Sequence, residues 1–197
     1  MEDNSMKIKV YIIDVDGTLI PISPLFKLIK KYKLDDVIFY PNRNYHRFNN
    51  PTIKKFLYVL GDFISHAISF LAYNFINKGD REYYRKLFKR VAELSKKDNV
   101  LIIIVSRSYT AKFAFSDIIN NGQKRKIMYY TIFGKQKKEF LKRISNYFQN
   151  KENVEVIIFE DNPNEVEEIN DSNKIKKFLV DDPKETYHKL VLELYGK

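Results

Sequence analysis

Cysteine is absent from this 197-residue chain. That excludes a disulfide framework, thiolate catalysis and any cysteine-ligated metal site. The opening residues MEDNSMKIKV lack the apolar core of a signal peptide. Together these absences fit a cytoplasmic protein, with Met6 as an alternative start. No internal repeat is apparent, so the expectation is one ordinary domain, or one domain with a smaller insert. Acidic residues are scarce in one segment. Residues 20–99 hold 16 Lys/Arg against 7 Asp/Glu, a net of +9, which leaves +1 for the rest of a chain whose total is +10. A basic segment suits a small phosphorylated substrate or a nucleic acid, and is equally what a Lys-rich solvated surface looks like. Hydrophobic content of 44% and charged content of 30% are those of a soluble globular protein.

The apolar pattern orders the chain. Residues 7–13 read as a strand buried on both faces. Leu25 to Leu34 has helical spacing, and residues 35–51 read as a loop that includes Arg43, Tyr45, His46 and Arg47. Pro51 opens a long helix to about Asn77, with Asn50 before it as a cap. Residues 56–76 of that helix are apolar at 15 of 21 positions, which raises the question of a membrane span. Asp62 and His66 in its middle argue against one. Tyr58, Asp62, Ser65, His66, Ser69 and Tyr73 fall in one polar stripe. The simplest reading is a buried helix whose stripe faces a cavity or a partner, with an exposed apolar face and a homodimer as the other option. Arg81 to Lys97 forms a further helix with a basic side. Thereafter strands (100–105, 127–133, 154–159, 175–180) alternate with helices (109–120, 135–148, 163–169, 183–195), the pattern of a parallel sheet covered on both faces. The fold class expected is α/β, a central parallel sheet flanked by helices. Residues 1–19 and 100–197 form its core, and 20–99 a helical insert.

The first strand runs into Asp14-Val15-Asp16-Gly17-Thr18-Leu19. Buried charge is costly unless it is used. Alternation points Asp14 and Asp16 the same way, Gly17 permits a sharp turn, and Thr18 is expected to tie the turn to its own backbone. Two carboxylates on one face of a strand end suit a hard divalent cation such as Mg2+. They also suit a division into nucleophile and general acid/base. Alone, the same residues describe a strand-to-turn junction whose acids solvate the turn.

DVDGTL resembles the first motif of the haloacid dehalogenase superfamily of phosphohydrolases, and three further motifs follow in that family's order. A strand ends in Ser106. The run GKQKKEFLKRI offers Lys135, Lys137 and Lys138, of which Lys137 is favoured by its distance from Phe140 and Leu141. IIFEDNPNEVEEI supplies Glu160 and Asp161 after a strand. The resemblance implies a Rossmann-like core with a helical cap at residues 20–99, and a Mg2+-dependent phosphatase. Asp14 is then the nucleophile, Asp16 the general acid/base, and Ser106 and Lys137 the groups on the phosphoryl oxygens. Asp14, Asp16 (through its carbonyl), Asp161 and Glu160 serve the metal, with Asn164 or Glu165 supporting them. Thr18, Arg107, Lys135, Arg43, Arg47 and His66 are candidate substrate contacts, the last three from the insert. A phosphomutase or other phosphotransferase shares this site, and a nucleic-acid-end phosphatase or nucleic-acid-binding protein would use the basic insert.

Overall fold

A computed structural model describes residues 7–22, 24–31, 51–74, 78–107, 109, 127–132 and 135–195. Five strands, β1 (Ile8–Asp14), β2 (Val100–Ser106), β3 (Ile127–Thr131), β4 (Val154–Glu160) and β5 (Ile175–Leu179), form one sheet in the order β3-β2-β1-β4-β5. Every pairing is parallel. This is the Rossmann-like α/β arrangement that the sequence pattern predicts. The helices among the described residues are α1 (Pro24–Lys31), α2 (Pro51–Asn74), α3 (Lys78–Leu94), α4 (Lys135–Gln149), the single turn α5 (Pro163–Val166) and α6 (Pro183–Tyr195).

The central strands are continuous apolar runs because both faces of the sheet are covered. Side chains alternate between two cores. Tyr11, Ile13, Ile102, Ile104, Ile157 and Phe159 pack on one face with Leu87, Phe88, Val91 and Leu94 of α3 and Leu190 of α6. Val10, Ile12, Ile103, Val105, Val156 and Ile158 pack on the other with Leu141 of α4 and Val166 of α5. The helix α3 therefore lies against the sheet, whereas the sequence pattern groups it with the insert. Its stripe Tyr84, Leu87, Phe88, Val91 and Leu94 finds apolar strand faces to cover, while Arg85, Lys86 and Lys89 stay exposed.

The helix α2 departs from expectation in the opposite sense. Its small polar residues Ser65 and Ser69 are buried, and Phe56, Val59, Leu60, Phe63, Phe70 and Leu71 are exposed. The polar stripe turns inward because the chain offers it partners there: the ring of His66 stacks on Tyr109 with centroids 3.6 Å apart, and the Ser69 hydroxyl accepts the Tyr109 N–H at 3.1 Å. No helix among the described residues is long and apolar enough to cross a membrane.

Strand order runs outward from β1 in both directions, so the carboxyl ends of β1, β2 and β4 share one crevice at the topological switch point. Asp14 pairs in register with Val105, and Ile13 with Phe159. Asp14, Ser106 and Glu160 therefore end three adjacent strands.

Candidate active site

Main-chain hydrogen bonds close the turn after β1. The Val15 carbonyl accepts from Thr18, Leu19 and Ile20 N–H groups at 3.3, 2.9 and 2.9 Å, and Gly17 N–H donates to Ile20 O at 2.6 Å. Thr18 is fully buried, and its hydroxyl has no hydrogen-bond partner among the described residues. The expected side-chain tie is therefore replaced by backbone bonds. Gly17 has φ +99°, a conformation glycine adopts freely. A Cβ there would also run into the Asp161 carboxylate. The close approach that Gly17 permits is thus to Asp161, which brings the acid after β4 against the turn after β1.

Asp14, Glu160 and Asp161 each offer a carboxylate oxygen, and these atoms lie within 4.8 Å of one another. Lys137, buried on the first turns of α4, donates to Asp14 Oδ1 at 2.6 Å and sits 2.8 Å from Glu160 Oε2. The other two eligible lysines are placed differently. Lys138 pairs at the surface with Glu167 and, at 2.9 Å, Glu168, and the side chain of Lys135 lies outside the described residues. Asp16 is only half-buried, and its Oδ2 accepts the Ser106 hydroxyl at 3.1 Å.

One lysine faces an excess of acid, and the electrostatics follow. Burial pushes the Asp14 carboxyl well above the usual range. Glu160, Asp161 and Asp16 push it further, against the opposing pull of Lys137. Burial likewise raises Glu160 despite Lys137, with Asp161 adding to the rise. The Lys137 ammonium loses solvation, but Asp14 and Glu160 outweigh that loss and hold it above its ordinary value. The hard oxygen donors of Asp14, Glu160 and Asp161 fit Mg2+, and a divalent cation would relieve the repulsion that raises these carboxyls.

Sequence reasoning did not join Arg107 to Glu165. The guanidinium that follows Ser106 forms an ion pair with Glu165 of α5, whose carboxylate is almost wholly buried. This pair ties the loop after β2 to the loop after β4, where Asn162 caps α5 by accepting from Asn164 N–H at 3.2 Å. Both residues stand beside the motifs, so their position was visible in the chain, but their partnership depends on how β2 and β4 flank β1. The substrate contacts expected of Arg107 and His66 compete with these internal partners, Glu165 and Tyr109. Arg43 and Arg47 lie outside the described residues, as does the side chain of Asp62.

The fold and the acidic crevice together define an α/β protein with a carboxylate–lysine site at the switch point of a parallel sheet. Solved structures bear on the fold. The Legionella pneumophila effector Ceg4 is 16% identical, with 96% of this chain and 95% of that chain covered and a TM-score of 0.52. The HAD domain of the L. pneumophila effector Lem4 is 14% identical over 96% and 94% of the two chains, with a TM-score of 0.46. Phosphoserine phosphatase from T. onnurineus is 15% identical over 96% and 97%, with a TM-score of 0.38. The first of these shares the fold; the other two likenesses are too distant to carry more. No protein-family model matches the chain, and no curated protein matches it.

Proposed function

We propose that this chain is a Mg2+-dependent phosphatase that hydrolyses a phosphate monoester through an aspartyl-phosphate. The observation that carries the reading is the setting of Asp14: a buried carboxylate at the end of the central strand, with Lys137 on one oxygen and Glu160 and Asp161 within 4.8 Å. Once ionised, the Asp14 carboxylate is a nucleophile that needs no general base, and a bound divalent cation would favour that form against the neighbouring acids. Asp14 attacks phosphorus in line, and its new O–P bond forms as the bond to the leaving oxygen breaks. Asp16 gives that oxygen a proton, then takes one from the water that attacks phosphorus and frees Asp14. The Ser106 hydroxyl, which donates to Asp16 in the free chain, turns to a phosphoryl oxygen when substrate binds, and Lys137 donates to another. Asp14, Asp161 and the Asp16 carbonyl would hold Mg2+, with Glu160 in support. When bound, the ion supplies charge neutralisation at the phosphoryl group.

The test is turnover of p-nitrophenyl phosphate with Mg2+ and after its removal by chelation. Activity is expected only with the ion. Asp161→Ala should raise the Mg2+ concentration required far more than Glu160→Ala, because Glu160 is occupied by Lys137. Turnover that persists in excess chelator, or a larger effect of Glu160→Ala, contradicts the assignment.

A further inference from the structure

The outer face of α2 shares no residue with the acidic crevice. Its exposed residues are Ile53, Phe56, Val59, Leu60, Phe63, Ile64, Phe70 and Leu71, with Phe56 at 65% and Phe63 at 68% of full exposure. At 100° per residue these positions share one stripe about 140° wide. At 1.5 Å per residue the stripe is about 27 Å long. Ala67 and Asn74 complete it, so no charged residue interrupts it. Its eight large side chains present on the order of 700 Å² to solvent, above the roughly 300–600 Å² of the largest patch on a typical monomer. The same area is close to the roughly 800 Å² per partner of a standard protein interface.

We propose that this face is the contact of a homodimer in which two α2 helices pack antiparallel about a two-fold axis between Phe63 and Ile64. An isologous contact must be complementary to itself, and the sequence of the stripe is. With the axis there, Phe63 of one copy meets Ile64 of the other, the larger Leu60 meets the small Ala67 on both sides of the axis, and Phe56 meets Leu71 further out. Large-against-small pairing across facing positions is what interdigitated helix packing requires. Because the stripe carries no charge, two copies of a chain with net charge +10 meet there without direct repulsion. An interfacial membrane helix is the competing occupant. Such a helix keeps a solvated, basic polar face opposite its apolar one. Here the opposite face carries Ser65, His66 and Ser69, which turn into the chain.

The experiment uses the full chain and follows its mass in solution with concentration. Wild type is expected to dimerise. Phe63→Glu and Phe63→Lys should each be monomeric, with a dissociation constant raised at least about a hundredfold, because each places like charges across the axis. An equimolar mixture of the two should dimerise again, which a merely misfolded variant would not do. If either variant fails to fold, cysteine pairing gives the same answer, since the chain has no thiol of its own. Leu60→Cys mixed with Ala67→Cys should cross-link under mild oxidation at least about tenfold faster than either alone. A wild-type chain that stays monomeric at all concentrations, with no preferred cross-link, overturns the proposal. So does a monomer that binds phosphatidylserine-containing vesicles through Phe63, which would make the face a membrane surface instead.

Discussion

Asp14 is held in a place that disfavours its charge. Burial and three neighbouring acids raise its carboxyl well above the ordinary range, against one lysine. The native state therefore binds a proton at Asp14 more tightly than the unfolded chain does. The stability tied to that proton is fully present below the unfolded value and is lost as pH rises through the raised one. At neutral pH without metal the residue opposes folding. Asp14→Asn removes the repulsion while Lys137 keeps Glu160, so the metal-free variant is expected to melt at or above the wild-type temperature. Its turnover of p-nitrophenyl phosphate should fall below a tenth of wild type. A clear drop in melting temperature would contradict this electrostatic account of the site. Gly17 is the complementary case. Gly17→Ala meets both an unfavourable positive φ and the Asp161 carboxylate. Backbone strain of this kind costs about 1–3 kcal/mol. Urea unfolding should show a loss in that range, and the Mg2+ requirement should rise as Asp161 is displaced. An alanine variant with wild-type stability and metal requirement would show that the contact is not needed.

The elements are tied together by polar groups at both ends of the sheet. At the end away from the site, Glu193 of α6 accepts from Lys9 Nζ and the Tyr11 hydroxyl, each at 2.8 Å. Burial pushes the Glu193 carboxyl up, but those two partners outweigh it and hold it below its ordinary value. A depressed carboxyl stabilises the fold above its unfolded value, and that contribution disappears as pH falls through the folded one. Glu193→Gln should therefore lower the urea midpoint at pH 7, and the two proteins should converge below about pH 4. A constant gap from neutral to acid pH would assign the loss to packing alone. At the site end, His66 and Ser69 of α2 engage Tyr109, which follows shortly after Ser106 at the end of β2. With His66 engaged there, His66→Ala should lower kcat/KM for a large natural ester and for p-nitrophenyl phosphate together. A change in the ranking of substrates with the small ester spared would instead place His66 on the leaving group.

Over the whole molecule, the fold was legible because the central strands β1, β2 and β4 are short, mostly apolar stretches, and the segments between strands keep helical spacing. The strand ends in Asp14, Ser106 and Glu160 pointed to one crevice for the same reason: parallel strands with crossover helices bring their carboxyl ends together. Lys137 was legible from its distance to Phe140 and Leu141. Leu141 sits in the core, and Lys137 lies one turn earlier on the same helix, aimed at Asp14. What the chain hid is which way a two-sided helix faces. Periodicity shows that the two faces of α2 differ. It does not show that Tyr109 supplies partners for the polar one, nor that α3 leaves the insert to cover the sheet. The Arg107–Glu165 pair was hidden likewise, because its members are 58 positions apart and meet only through the strand order.

If Asp14 is the nucleophile, it becomes covalently phosphorylated during turnover. Acid quenching of the full chain during turnover of a phosphate monoester, followed by peptide mass spectrometry, measures this directly. Wild type should carry one phosphoryl group on the peptide containing Asp14, and Asp14→Asn none. A phosphoryl group on another residue, or an Asp14→Asn protein that still turns over substrate at more than a tenth of the wild-type rate, would contradict that role for Asp14.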